Sequence, residues 1–315
     1  MTAGRRSFCA WPCLPVVAGV AGLLLAASLA FDPCPAWAAS AADALVLGRE
    51  VPIRQSPHLT AGIVKRARPG EAYEVIGRKP GKGQPLYILD ENGDLWLKIR
   101  LGEDEVGFVR NDQVSVAREE YPSPRQKGQL IVNLRSTAEG DIIRDLWVVQ
   151  EAWQHSRRLG PIDGRPVWDG QGDWFIVQMD SDMTVKDPNM ERTVERIEKV
   201  SADGRTRTLL AAGSNPLVLE ARREVYFYRD VDAQGEPVPA GLFAVSLDGT
   251  NVRAVYLLPE RYRFWKEDGD FFVEAPAPQL TAGGQRIHLF AFGPGAIRYR
   301  FTVTLDGDLT SFRRD

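Results

Sequence analysis

The sequence predicts an all-β protein in two parts, a small β-unit towards the N-terminus and a repeated array of strands behind it. Three observations carry this. Short alternating apolar and polar runs are broken throughout by Gly, Pro and Asn. A strand–turn–strand phrase centred on Asp-Gly appears at Asp203-Gly204, Asp248-Gly249 and Asp306-Gly307. Tryptophan is plentiful (8) and methionine scarce (4), which suits pleated, half-buried surfaces better than helices.

The first residues read as an export leader. Arg5 and Arg6 precede an apolar run, Leu14 to Phe31, and Ala36-Trp37-Ala38 offers a small-x-small cleavage site. Residues 1–38 are therefore expected to be a signal peptide cut after Ala38. The Gly and Ala content of the run and the cleavage site weigh against an uncleaved anchor. Arg5-Arg6-Ser7-Phe8 resembles a twin-arginine motif, but Cys9 stands where Leu is usual, so general secretion is favoured. Cys34 lacks the small-residue box of a lipidation site. Cys9, Cys13 and Cys34 all precede the cut, so the mature chain has no thiolate metal site, disulfide or cysteine nucleophile. The expected compartment is periplasmic or extracellular. The net charge of −3 gives no electrostatic reason to propose nucleic acid as partner.

From Ala44 to about Ala117 short strands alternate with turns. Val51–Pro57 alternates and ends in a turn, Pro69-Gly70 precedes Glu71–Gly77, and Asn92-Gly93 joins Leu86–Leu89 to Leu95–Leu101. Asn-Gly suits a hairpin turn with positive φ at both central residues. Gly107–Val114 completes the set. These pieces (Ile53-Arg54-x-Ser56-Pro57, Gly70, Val75-Ile76-Gly77, Trp96-x-Lys98-Ile99, Gly107-Phe108-Val109) resemble, in order and spacing, the bacterial SH3-like domains of cell-envelope proteins. Phe108 stands where Trp is usual, and Pro52 where Asn is common. The resemblance implies a small barrel over residues 44–117 that binds peptidoglycan or a peptide and is not catalytic. Its candidate ligand-binding residues are Arg54, Tyr73, Trp96, Lys98 and Phe108. Alternation places Trp96, Lys98 and Arg100 opposite Leu95, Leu97, Ile99 and Leu101. Trp96 either stacks a sugar or peptide, or packs on Tyr73 or Tyr87; Arg54 either meets the ligand or bridges a local carboxylate.

Residues 118–127 are charged and proline-bearing and read as a linker. Over residues 128–315, four-strand units recur at intervals of roughly 45 to 60 residues, near the period of propeller blades. Pro166-Val167-Trp168-Asp169-Gly170-Gln171-Gly172-Asp173, and Arg229-Asp230 followed by Gly241–Val245 and Asp248-Gly249, resemble TolB-type β-propeller repeats. The full expectation is an all-β chain with a small SH3-like barrel plus a four-bladed β-propeller. Either the ring closes, or it stays incomplete and pairs with another protein or a second copy; a closed or nearly closed monomer is favoured, because exposed edges invite aggregation.

No catalytic set is visible. His58, His155 and His288 lie far apart, and there is no zinc-hydrolase spacing, nucleophile elbow, phosphate loop or dinucleotide fingerprint. Asp180-Ser181-Asp182 and Asp230-Val231-Asp232 have the alternating oxygens of a calcium loop but lack its closing Glu, and solvated turns explain them. Neither metal nor cofactor is expected. Met183–Glu195 reads as a long, solvent-exposed loop insertion placed to cover a propeller face. The leading function is an exported, non-enzymatic binding or scaffold protein, with peptidoglycan or an envelope protein as partner and no membrane span after cleavage. The alternative is a cell-wall or glycan hydrolase working through paired carboxylates on the propeller face.

Overall fold

The computed structural model describes residues 43–77, 85–125, 128–150, 153–186, 192–268 and 271–315. The expected leader, residues 1–38, lies outside them. No helix among the described residues is long and apolar enough to cross a membrane.

The first unit is built from two antiparallel sheets. One has the order β4 (Ala72–Glu74), β1 (Asp43–Val46), β8 (Val114–Ser115). The other runs β3 (Ile63–Ala67), β2 (Val51–Arg54), β7 (Val106–Arg110), β6 (Leu95–Arg100), β5 (Tyr87–Leu89). Strand alternation turns Val51, Ile53, Leu97, Ile99 and Val109 inward, where they meet Ala44, Val46, Tyr73 and Val114 in one apolar cluster.

Four four-stranded antiparallel sheets follow. Residues Arg118–Pro122, read from the sequence as linker, form strand β9, because Tyr121 packs into the apolar cluster beneath while Arg144 takes the carboxylate of Glu119 at 3.0 Å. β9 pairs with β10 (Gly128–Ser136), then come β11 (Ile142–Gln150) and the first half of β12 (His155–Trp168). The second half of β12 opens the next sheet with β13 (Trp174–Thr184), β14 (Thr193–Ser201) and β15 (Arg207–Ala212). β12 serves both sheets by bending between them, where Gly160 and Gly164 adopt φ of 122° and 63°. The third sheet is β16 (Ser214–Leu219), β17 (Glu224–Val231), β18 (Pro237–Ser246) and β19 (Arg253–Leu257). A hairpin, β20 (Trp265–Asp268) and β21 (Phe271–Glu274), precedes the fourth sheet of β22 (Gln279–Leu280), β23 (Arg286–Phe292), β24 (Arg298–Thr304) and β25 (Leu309–Arg314).

The Asp-Gly turns do what their chemistry dictates. Asp248 Oδ1 accepts from the backbone N–H of Thr250 at 2.9 Å, and Gly249 takes φ of 82°. At the last turn Gly307 has φ of 103° and lies so close to the third sheet that a Cβ would stand 2.0 Å from the Val255 carbonyl oxygen.

Packing runs in chain order. Leu45 and Leu47 of the first unit meet Ile131, Trp147 and Val149 on one face of the first sheet. The opposite face of that sheet (Leu130, Val132, Leu146, Val148) meets Phe175 and Val177 of the second. Ile176 and Ile197 meet Val225 and Phe227 of the third, whose Tyr226 and Leu242 meet Ile287, Leu289 and Phe301 of the fourth. Buried Tyr228 crosses this last seam: its hydroxyl donates to the Pro276 carbonyl at 2.9 Å and accepts from the Phe290 N–H at 3.0 Å. No apolar cluster among the described residues joins the fourth sheet to the first, whose second face the N-terminal unit covers. The apolar seams among the described residues therefore run in series, from the first unit through to the fourth sheet.

Buried and half-buried polar bonds reinforce the junction between the first unit and the first sheet. Asn133 Nδ2 donates to the Val114 carbonyl at 3.1 Å, Asn111 Nδ2 to Ser136 at 2.8 Å, and Ser156 Oγ to Leu47 at 2.5 Å. Nearby, Asp145 is fully buried and holds Arg135 (2.9 Å) and Arg158 (2.7 Å), one on each carboxylate oxygen.

Candidate functional site

Two places gather chemistry. The first lies on the outer face of the five-stranded sheet. Arg54 pairs with Phe108 across β2 and β7, and Phe108 pairs with Lys98 across β7 and β6. Residues directly opposite one another share a face, so an aromatic ring stands between two cations. All three are half-buried. Arg54 Nη1 donates to the Ala61 carbonyl at 2.7 Å, while its buried Nε has no partner. Among the described residues no carboxylate pairs with Arg54 or Lys98, so the local bridge considered for Arg54 is not formed.

The other two candidates do not join this row. Tyr73 lies on the other sheet and belongs to the apolar core; its hydroxyl donates to Glu71, and Lys65 sits 4.9 Å above the ring. Burial raises its pKa. Trp96 shares the face of Lys98 but is only 1% exposed, and its Nε1–H donates to Asp90 Oδ2 at 2.9 Å. Asp90 is fixed in turn by the backbone N–H groups of Asn92 and Asp94, both at 2.9 Å. The hairpin thus draws the indole down, and Trp96 offers no stacking surface.

The second place is a knot of carboxylates carried by three strands. The bend of β12 carries Asp163 to a position opposite Gln178 of β13. Glu195 stands on β14 opposite Asp180, and Glu274 ends β21 opposite Trp265. Carboxylate oxygens of Asp163, Glu195 and Glu274 all lie within 4.8 Å of one another. Two amide side chains brace them. Asn215, at φ of 55°, donates its backbone N–H to Gln178 Oε1 at 2.6 Å and its Nδ2 to Glu274 Oε2 at 3.2 Å. Close by, Val185, Val194, Ala212 and Val231 form a small apolar floor.

Like charges at this range cannot all ionise freely. Burial, then the charges of Glu274 and Asp163, push the Glu195 carboxyl up to about 9. Glu274 is exposed as a residue, yet its carboxyl group is crowded, and burial and Asp163 push it to about 7. Burial and Asp163 also raise Asp180. Burial and mutual repulsion thus favour the protonated forms of Glu195 and Glu274, against the opposing charge of Arg192. The knot's oxygens are hard donors suited to calcium or magnesium, and its raised acids suit proton donation.

The sequence points near this knot but not at it. Of the paired aspartates, Asp180 borders it, while Asp230 is held by Arg192 at 2.5 Å and Trp265 Nε1 at 3.1 Å. Asp232 closes a turn through the N–H groups of Gln234 (2.8 Å) and Glu236 (2.9 Å). The side chain of Asp182 lies outside the described residues, as do residues 187–191 of the expected loop insertion.

No family model and no curated protein matches this chain. Among solved structures it is similar to a TolB-type protein from Agrobacterium tumefaciens, at 13% identity and TM-score 0.41, over 72% of this chain and 76% of that one. It is similar to an oligogalacturonate lyase from Vibrio parahaemolyticus at 10% identity and TM-score 0.37, over 70% of this chain and 61% of that one. A Synechocystis apocarotenoid oxygenase mutant shares 9% identity at TM-score 0.39, over 87% of this chain and 69% of that one. Likeness this distant transfers no activity or partner to the chain.

Proposed function

We propose that this chain is an exported, non-enzymatic binding protein of the cell envelope, with an SH3-like first unit and four propeller-type blades stacked behind it. The observation that supports this reading is the row Arg54–Phe108–Lys98, where two cations without carboxylate partners among the described residues flank an aromatic ring. Such a row suits a carboxylate-bearing ligand with an apolar stem, and the peptide stems of peptidoglycan have that chemistry. The mature chain is expected to co-sediment with purified sacculi, and Arg54→Ala with Lys98→Ala together to weaken retention at least about tenfold. Equal retention of the double variant removes the row from the reading. Failure of the parent chain to bind sacculi or any envelope protein removes the reading itself.

A second reading rests on the carboxylate knot. A Glu274 carboxyl pushed to about 7 has the poise of a general acid, with Asp163 beside it as a second carboxylate. If the knot cleaves glycan, the parent chain releases reducing ends from cell-wall glycan, and Glu274→Gln lowers that rate at least about a hundredfold. Absence of release by the parent disposes of this reading.

A further inference from the structure

The outward face of the fourth sheet belongs to neither place above. Its inward residues, Ile287, Leu289, Ala291, Phe301 and Val303, are spent on the seam with the third sheet. The outward face carries a cross-strand row of Gln279, His288, Thr302 and Ser311. His288 Nδ1 and Thr302 Oγ1 are 2.9 Å apart. Arg286 lies one same-face step to one side of His288, roughly 7 Å along the strand. On the other side Arg300 and Arg313 stand directly opposite each other on β24 and β25.

Like charges placed directly opposite destabilise a sheet. Arg300 forms a 3.6 Å ion pair with Asp315, and neither Arg313 nor Arg286 has a carboxylate partner among the described residues. All of these outward side chains but Gln279 line a cavity of about 480 Å³, together with Thr281, Gly283 and Gln285, and its lining contains no acidic residue. Three guanidinium groups, a histidine and three hydroxyls (Thr281, Thr302 and Ser311) converge there on solvent. The lining presents no aromatic ring beyond the imidazole, so a neutral sugar lacks a stacking platform there.

We propose that this face is a binding site for a small oxyanion ligand carrying phosphate or carboxylate groups. Arg300 and Arg313 fork onto one group, with Thr302, Ser311 and His288 at its side, and Arg286 reaches a second group. The site is independent of the barrel row and of the carboxylate knot. A ligand there also removes the repulsion within the Arg300–Arg313 pair.

The test is a titration of the mature chain followed at the ring protons of His288 by NMR. The probes are inorganic phosphate, citrate, and sodium chloride at matched ionic strength. A saturable shift with phosphate or citrate, with Kd on the order of 1 mM, is the expected result. Phosphate alone identifies a phosphoryl ligand, and citrate alone identifies a polycarboxylate. Arg313→Ala and Arg286→Ala, both at exposed positions, are each expected to weaken binding about tenfold with unchanged circular dichroism. An equal shift with chloride, no saturation, or unchanged binding in Arg313→Ala overturns the proposal.

Discussion

Asp145→Ala is expected to lower the stability of the whole chain by about 3 kcal/mol or more, the cost of leaving buried charge uncompensated. Asp145 is 0% exposed and serves two arginines at once, Arg135 at 2.9 Å and Arg158 at 2.7 Å. Arg135 is itself largely enclosed, so losing the carboxylate strands a guanidinium that water reaches poorly. Arg158 is more open and recovers solvation more readily. A lower urea midpoint with an unchanged denaturant slope is the expected signature. Asp145→Asn keeps the shape and one acceptor but not the charge, and should fall between parent and alanine. A variant as stable as the parent would show that the two arginines do not depend on this carboxylate.

Glu195→Gln is expected to act in the opposite direction, stabilising the protein at alkaline pH. The folded-state pKa of Glu195 is raised, so the folded chain holds a proton that the unfolded chain releases near 4.5. That contribution is fully present below about pH 4.5 and is lost as pH rises towards 9, and Glu274 adds to it up to about 7. Other shifted carboxylates, such as Glu71, Asp203 and Asp248, move downward, so their effect is felt in acid and not in this window. Between pH 5 and pH 8 the parent should therefore lose about 2 kcal/mol or more through Glu195. A neutral glutamine removes Glu195's own share of the slope. Thermal unfolding of both chains from pH 5 to pH 9 checks this, and parallel curves would show that Glu195 ionises normally. Calcium or magnesium should flatten the parent curve only if the knot accepts a cation in place of its proton.

The strands are legible because their signals are local. Gln285–Gly293 and Glu224–Asp232 are apolar runs bounded by turn residues, and they become β23 and β17. The glycines of Asn92-Gly93, Asp203-Gly204, Asp248-Gly249 and Asp306-Gly307 all take positive φ, but Asn92 does not, so that hairpin turns through a wider loop closed between Asp90 and Asp94 and not through the two-residue turn its Asn-Gly suggests. Alternation along β6 places Lys98 on the outward face, whereas Arg54 and Phe108 are candidates only through the family resemblance, and the strand register is what sets the three side by side. Trp96 escapes that logic. Its face is readable, but its burial depends on the Asp90 carboxylate folding back to meet it. The knot lies beyond local signals altogether. Asp163, Glu195 and Glu274 span more than a hundred residues, and what unites them is the bend in β12 and the docking of a hairpin. No spacing in the chain encodes that meeting. The strand at Arg118–Pro122 is hidden because its charges, which usually mark a connector, find partners on the folded sheet.

The serial order of the apolar seams also bears on how the chain is made. Each sheet lies against the one synthesised just before it, so a chain emerging N-terminus first always has a finished surface waiting for its next piece. Nothing among the described residues has to wait for the far end to come back and close a ring. The last sheet, held on one face only, is the element that should come loose first and re-dock most often. The molecule is in this respect a zipper with a fixed end at the N-terminal unit and a working end at β25.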